Sequence, residues 1–243
     1  MSGDKRPEFP DTPWTIIRKA AASGAPEAQQ ALADLCRIYW YPLYVFVRRK
    51  GRSVEDAQDD VQGFFARFLA RNHLENLDPE VGRFRSYLLR SLKNYMAEQR
   101  RRAAADKRSA TLVPLVMDFG EAESRFVVEP VAPGDPEREF MRKWALALLD
   151  HVLRRLQREY RRGGRSEEFE LLRGFLPGSR SAPGYEEAAR RAGVTTGTLR
   201  TRVSRLRARY RELLEREVGR TVTTPEEVAA EIRFLTEVLG NRT

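Results

Sequence analysis

Apolar residues recur every three to four positions along most of the chain, which is the spacing of amphipathic α-helices. No run alternates between apolar and polar residues as a half-buried strand would. The pattern therefore predicts an all-α protein. A first short helix begins at Pro13, and further helices are predicted at 26–50, 53–71, 83–102, 137–162, 166–174, 184–192, 195–218 and from 225 onward.

The distribution of these helices divides the chain into two small domains. Residues 106–137 lose the helical periodicity, are acidic and contain several prolines, which is typical of a linker. We predict five segments: a flexible tail at 1–13, a four-helix domain at 14–105, a linker at 106–137, a second helical domain at 138–218 and a helical extension at 219–243.

The extension begins with a helix-start signal, because Thr224 can cap a helix whose first residue is Pro225. An apolar stripe follows at Val228, Ile232, Leu235 and Leu239. We expect this stripe to pack on the domain that precedes it; docking of a regulator is the alternative.

Charge indicates an anionic partner. The 243 residues have a formal net charge of +9 and a sequence pI near 10.0, which favours nucleic acid over a membrane surface. The cations are clustered: residues 190–211 contain eight arginines and no acid, and residues 83–108 contain nine basic residues against two acids.

The sequence lacks the motifs typical of disulfide-rich, metal-binding, nucleotide-binding and membrane proteins. Cys36 is the only cysteine, so no disulfide can form within the chain, and the histidines are His73 and His151. There is no Gly-rich phosphate loop, no Cys/His metal spacing, no signal peptide and no apolar run of about 20 residues. We expect a cytoplasmic protein without catalytic residues, metal or cofactor, and without a membrane partner.

Residues 184–211 have the pattern of a helix-turn-helix, in which a short helix meets a tight turn at Gly193 and a second helix follows. One face of the second helix is apolar. The opposite face and its flanks carry small polar residues between arginines, an arrangement suited to base edges and phosphates. The predicted DNA-binding residues are Arg200, Thr201, Arg202, Ser204, Arg205 and Arg209.

Residues 83–102 form another helix whose outward side is cationic. Phe84, Leu88, Leu92, Tyr95 and Met96 mark its core side. The outward stripe combines cations, which follow a phosphate backbone, with an aromatic ring and an amide that suit unpaired bases. The predicted residues for binding opened DNA are Arg83, Tyr87, Arg90, Lys93, Asn94 and Arg101.

Residues 53–71 form an amphipathic helix with an acidic outer side. Gly63 and Ala66 lie beside aspartates there, and they predict a smooth lane along which the helix of another protein could pack. A solvated charged face is one alternative. A metal site is disfavoured because the aspartates lie on one exposed helix with no histidine nearby.

Together, these segments resemble the extracytoplasmic-function (ECF) group of bacterial RNA polymerase sigma factors. "DDVQGFFARFL" looks like the helix that docks on the clamp coiled coil of core polymerase, and "FRSYLLRSLKNYMAEQRRR" looks like the segment that opens the minus-ten element. "YEEAARRAGVTTGTLRTRVSRLR" looks like the minus-thirty-five reader. The resemblance places Asp59 and Gln62 at positions usual in the group. Together with the acidic lane, it predicts the residues that bind core polymerase: Asp56, Asp59, Asp60, Gln62 and Gly63.

The resemblance implies further expectations. Core RNA polymerase, through its clamp coiled coil and flap, and promoter DNA are the expected partners, and an anti-sigma protein or a kinase could regulate the factor. Asn94 would contact a minus-ten base, the loop at 72–83 would set specificity, and the acidic segment 118–139 would run through a basic channel of the polymerase. Gly63 and Asp60 depart from the residues common in the group.

Two other functions compete with this interpretation. A stand-alone helix-turn-helix regulator would explain residues 184–211 but would leave the acidic helix and the Asn94 stripe without a role. A metal-dependent nuclease would use the aspartates but lacks further ligands in the sequence.

Overall fold

The computed structural model describes residues 26–69, 83–103, 118–128, 135–177, 184–222, 224 and 226–240. This part of the chain contains α-helices, one 3₁₀ turn at Arg173–Phe175 and no strand, so the all-α prediction is confirmed. The helices are α1 (Pro26–Arg49), α2 (Val54–Leu69), α3 (Phe84–Ala103), α4 (Phe119–Val128), α5 (Pro136–Arg162), α6 (Ser166–Leu172), α7 (Tyr185–Arg191), α8 (Thr196–Gly219) and α9 (Glu226–Gly240).

Local signals place several helix ends close to the predicted positions. The hydroxyl of Ser53 accepts a hydrogen bond from the backbone N–H of Asp56 and so caps α2. The carboxylate of Asp135 accepts one from the N–H of Glu137 at the start of α5. The predicted helix at Pro13, the tail at 1–13 and the loop at 72–82 lie outside the described residues.

The chain folds into two compact units. The first comprises Met1–Ala147 together with Val218–Thr243, and the second comprises Leu148–Glu217. The boundary falls inside α5, ten residues beyond the predicted end of the linker at 137. The residues at the start of α5 therefore belong to the first unit and not, as predicted, to the second domain.

The C-terminal extension also differs from its prediction. We expected α9 to pack on the helix-turn-helix domain, but residues 218–243 group with the N-terminal unit. Val218, Val222 and Leu235 are buried there. The expectation is wrong because the choice between two apolar surfaces is not encoded in the stripe of α9 itself.

Aromatic side chains form the core of the first unit. Tyr39 of α1 packs edge-on against Phe84 of α3, with ring centroids 5.2 Å apart, and is stacked with Trp144 of α5 at 6.5 Å. Phe68 of α2 meets Phe84 at 6.4 Å. Tyr39 and Phe68 contact Phe84 directly, and Trp144 lies 4.9 Å from the guanidinium of Arg85, so the first turn of α3 is held by several elements.

The predicted linker contains a helix that the sequence analysis missed. Helix α4 packs on α1, with the ring of Phe119 5.6 Å from that of Trp40. Glu123 accepts hydrogen bonds from the hydroxyl of Tyr44 and from the guanidinium of Arg48, the latter at 2.8 Å. This acidic residue is therefore engaged within the first unit, although the sequence analysis assigned the whole acidic segment to a polymerase channel.

The core of the second unit is formed by the second half of α5, α6, the 3₁₀ turn, α7 and α8. Leu199, Val203 and Leu206 of α8 are fully buried, as their spacing predicts. Among the described helices, none has both the length and the apolar character needed to cross a bilayer.

Candidate nucleic-acid interface

Helix α2 presents an exposed acidic side that is smaller than predicted. Asp56 and Asp59 are exposed. Asp60 is only 5% exposed, and its carboxylate is 2.8 Å from Nε of Arg52. Asp60 follows Asp59 by one residue, about 100° further around the helix, which turns it toward the segment before α2. Asp60 is therefore not part of the exposed acidic side, and Gln62 is half-buried.

Gly63 has an internal neighbour that explains its position in mid-helix. A Cβ atom at Gly63 would lie 2.2 Å from the hydroxyl oxygen of Tyr95 and 3.2 Å from its Cζ. Tyr95 belongs to α3, and Ala66 on the same side of α2 is buried. The predicted lane is therefore not open at Gly63, where Tyr95 of α3 lies, and Ala66 does not contribute an exposed surface.

Helix α3 places its predicted DNA-binding residues along one side. Arg83, Tyr87, Arg90 and Asn94 follow one another at spacings of four, three and four residues, and Arg101 comes seven residues later, which keeps these five on one face of an α-helix. Lys93 lies at the edge of that face. Arg90, Asn94 and Arg101 are exposed, whereas Arg83, Tyr87 and Lys93 are half-buried. The predicted core side is buried at Phe84, Leu88, Leu92 and Met96, and Tyr95 is half-buried.

Two of these cations are paired with carboxylates of the first unit. Lys93 forms an ion pair with Glu137 at the start of α5, and its ammonium lies 5.9 Å from the ring centroid of Phe46. Arg83 forms an ion pair with Glu231 of α9, with Nε 3.2 Å from Oε2. The cationic side of α3 thus consists of a more exposed part around Arg90, Asn94 and Arg101 and of two restrained cations.

A buried charge cluster behind this surface was missed by the sequence analysis. Arg85 is 3% exposed and forms an ion pair with Glu231, which is 0% exposed. Burial, together with the charge of Arg83, lowers the pKa of Arg85 to about 10, so the guanidinium remains charged at neutral pH. The sequence does contain a signal for this cluster. Glu231 comes three residues after Val228 and four before Leu235, so its carboxylate lies on the apolar face of α9 and requires a cation.

In the second unit, α7 and α8 are joined by a tight turn. Gly193 has φ +63°, a conformation that favours glycine, and the N–H of Val194 donates to the carbonyl of Ala189 at 3.1 Å. The hydroxyl of Thr195 accepts from the N–H of Thr198 at 3.1 Å and caps α8. Ala188 and Ala189 are buried at the contact between the helices.

The predicted DNA-binding residues of α8 fall into an exposed group and a paired group. Arg200, Thr201, Ser204 and Arg205 are exposed, and the Arg200 guanidinium lies 5.7 Å from the ring centroid of Tyr185. Arg202 and Arg209 are half-buried. The exposed group lies in the first three turns of α8, the end that reads bases in a helix-turn-helix.

Both paired arginines face carboxylates of the second unit. Arg202 lies 3.6 Å from Glu168. Arg209 donates two hydrogen bonds to Glu159, at 2.8 and 2.9 Å, and lies 2.7 Å from Glu212. The hydrogen bond from Arg209 lowers the pKa of Glu159. Arg209 is therefore held by α5 and by its own helix, and in this structure it stands apart from the exposed group.

The residues that the structure describes contain no group of three or more His, Cys, Asp or Glu arranged to hold a metal ion. The aspartates of α2 are separated instead into exposed Asp56 and Asp59 and buried Asp60.

Comparison with known families gives a match for the first unit. Residues 41–105 match the family model described as Sigma-70 region 2. The matched segment contains the end of α1 and all of α2 and α3. The match supports a sigma-factor domain in this part of the chain, with roles in binding core RNA polymerase and in melting promoter DNA. No curated protein and no solved structure matches the chain.

Proposed function

We propose that the protein is a promoter-specificity factor of the ECF group, which binds core RNA polymerase and directs it to promoters. The observation that carries the proposal is the match of residues 41–105 to Sigma-70 region 2, in the same segment in which α3 has a cationic side containing an exposed amide. Such a factor has no catalytic activity of its own and acts in the cytoplasm.

In this proposal, α2 docks on the clamp coiled coil of the polymerase. Asp56 and Asp59 are exposed and can meet cations of a partner, whereas Asp60 supports the helix through Arg52. Gln62 extends the contact. Gly63 acts indirectly, because it lets Tyr95 lie against α2 and so fixes the distance between the polymerase-binding and DNA-binding helices.

Helix α3 binds the opened minus-ten element in this proposal. Arg90 and Arg101 follow the phosphates of the single strand, and Asn94 between them contacts a base. Their exposure supports this role. Tyr87, whose ring packs 6.4 Å from that of Phe68, offers a half-buried ring at the edge of the stripe.

Helix α8 enters the major groove of the minus-thirty-five element in this proposal. Arg200, Thr201, Ser204 and Arg205 face the bases and the nearby phosphates, and the polymerase flap holds the second unit in place. Support comes from the exposed cluster of these residues near the start of α8 and from the tight α7–α8 turn. An anti-sigma protein or a kinase remains the expected type of regulator.

A second candidate function is that of a stand-alone helix-turn-helix regulator. It is favoured by one observation: α7 and α8 lie in a separate compact unit, outside the segment that matches Sigma-70 region 2. The two functions differ in one requirement, since only a sigma factor needs core polymerase in order to bind promoters specifically.

Transcription from genomic DNA fragments with sigma-free core polymerase tests the proposal. Added protein should produce discrete start sites preceded by two shared motifs, whereas core polymerase alone should not. Specific DNA binding by the protein alone, without such starts, would favour the regulator. Absence of both activities would overturn both functions.

A further inference from the structure

The C-terminal segment contacts the first turn of α3, the proposed minus-ten helix. The carbonyl of Thr221 accepts a hydrogen bond of 3.3 Å from the N–H of Phe84, the first residue of α3. That N–H is one of the donors that a helix leaves without a partner in its own first turn. The segment therefore supplies a backbone cap to α3 from more than a hundred residues away.

Side chains of α9 contact the same turn. Glu231 bridges two arginines, with Oε1 toward Arg85 and Oε2 3.2 Å from Nε of Arg83. Phe234, three residues further along α9, also contacts Arg85, whose guanidinium Cζ is 4.2 Å from the ring centroid. Glu231 is fully buried, so its charge is not screened by water and acts mainly on these two neighbours.

The two arginines differ in what they can contact outside the protein. Arg85 is 3% exposed and its guanidinium lies 4.9 Å from the ring centroid of Trp144 and 4.2 Å from that of Phe234. It therefore neutralises Glu231 inside the core. The side chain of Arg83 is 35% exposed and stands at the start of the cationic side of α3. Glu231 therefore links the protein interior to a cation on the DNA-binding surface.

We propose that Glu231 is a positioning residue for promoter opening, which holds Arg83 at the start of α3 and reduces the charge that Arg83 offers to the single strand. The inference rests on the proposed function, since it takes α3 as the minus-ten helix. In this proposal, α9 influences how strongly minus-ten binding depends on charge, through the ion pair between Glu231 and Arg83.

The salt dependence of DNA binding reports how much charge Arg83 offers to the single strand, because each neutralised phosphate releases counterions. Each phosphate neutralised on a single strand contributes about 0.7 to the slope of log affinity against log salt. If Glu231→Gln lets Arg83 engage one further phosphate, affinity should become more salt-dependent by about that amount. Between about 50 and 200 mM salt, the affinity ratio of variant to wild type should then fall by roughly 2.6-fold.

The experiment is a competition between full-length wild-type and variant protein for core polymerase bound to bubble duplexes with unpaired random sequence. Because both proteins bind the same polymerase, the ratio of variant to wild-type affinity cancels the salt dependence of the polymerase's own DNA contacts. We expect Glu231→Gln to bind more tightly at low salt and to lose this advantage as salt rises. Glu237→Gln, the same charge change at an exposed position of α9, should give a salt-independent ratio, and Arg83→Gln added to Glu231→Gln should remove the effect.

A second comparison covers the case in which Glu231→Gln does not fold. In the wild-type background, Arg83→Gln should reduce the salt slope by much less than Arg90→Gln, because Glu231 already neutralises part of the charge of Arg83 and Arg90 is exposed.

The outcomes separate the inference from the function on which it rests. Equal slopes for Glu231→Gln and wild type, or equal losses for Arg83→Gln and Arg90→Gln, would overturn the inference while wild-type protein still loads polymerase on the bubble. If wild-type protein does not increase polymerase binding to the bubble at all, the proposed function fails and the inference falls with it.

Discussion

Replacing Gly63 by alanine should destabilise the first unit, although helix propensity alone predicts the opposite. Alanine in a helix interior is about 1 kcal/mol more favourable than glycine. At this position, however, the new Cβ would lie 2.2 Å from the Tyr95 hydroxyl oxygen. The ring would have to move by about 1 Å to restore an ordinary contact distance.

Packing restrains the ring of Tyr95 against this movement. It is half-buried, and its centroid lies 6.0 Å from that of Phe64, whose side chain is in the core. Inserting a methyl group into a packed contact costs about 1–3 kcal/mol. After subtraction of the propensity gain, we expect Gly63→Ala to lower the free energy of unfolding by about 1 kcal/mol.

Urea unfolding followed by tryptophan fluorescence measures this value. The tryptophans that the structure describes, Trp40 and Trp144, lie in the first unit, so their fluorescence reports that unit. Gly120→Ala is a matched control in α4, because a Cβ there meets its nearest atom at 3.5 Å, an ordinary contact. This control should be neutral or slightly stabilising.

The variant Tyr95→Phe completes the test. Without the hydroxyl, the nearest atom to the new Cβ is Cζ at 3.2 Å, which requires a shift of only a few tenths of an ångström. Gly63→Ala in the Tyr95→Phe background should therefore cost much less than in wild type, with a coupling of about 1 kcal/mol. A stabilisation of about 1 kcal/mol by Gly63→Ala alone would refute the packing argument.

Three further predictions concern the proposed surfaces and an ion pair. Asp59→Arg should weaken binding to core polymerase by more than about tenfold without changing the circular dichroism spectrum, because Asp59 is exposed; unchanged co-purification would remove it from the interface. Arg200→Ala should reduce discrimination between matched and mismatched upstream elements by about 1–3 kcal/mol in a binding assay with the polymerase complex, and equal discrimination would reject a base contact. The pKa of Glu159 is lowered in the folded state by Arg209, so this carboxylate stabilises the second unit above its ordinary pKa of 4.5 and loses that contribution as pH falls through the lower folded value. Glu159→Gln should therefore flatten the acid limb of stability against pH, measured by circular dichroism, and an unchanged limb would contradict the assignment.

Helix α4 lies in a segment that was predicted to be a linker, although it has a helix-start signal of its own. Its start carries a cap, since the Asp118 carboxylate accepts a hydrogen bond of 2.9 Å from the N–H of Glu121. Phe119, Ala122 and Phe126 follow at helical spacing. The surrounding prolines and acids outweighed this short signal, and the helix packs on α1 through contacts that are not local in sequence.

Most of the described helices could be predicted from interactions between residues that are close in sequence. Periodic apolar positions, a capping serine at Ser53 and the turn at Gly193 act within a few residues, so the all-α fold and the buried and exposed sides of α3 and α8 followed from spacing alone. The segment that matches Sigma-70 region 2 was recognisable for the same reason, because its residues lie in order along consecutive helices.

Tertiary structure decided which partner each of the remaining residues meets. Arg85 and Glu231 are separated by 146 residues, and Tyr44 and Glu123 by 79. The exposure of Asp60 and the neighbour of Gly63 likewise depend on Arg52 and Tyr95, which helical periodicity cannot place. The sequence determines which side chains require burial or a counter-charge, whereas only the packing of whole helices selects the surface that meets the requirement, because burial energy depends on area and not on sequence position.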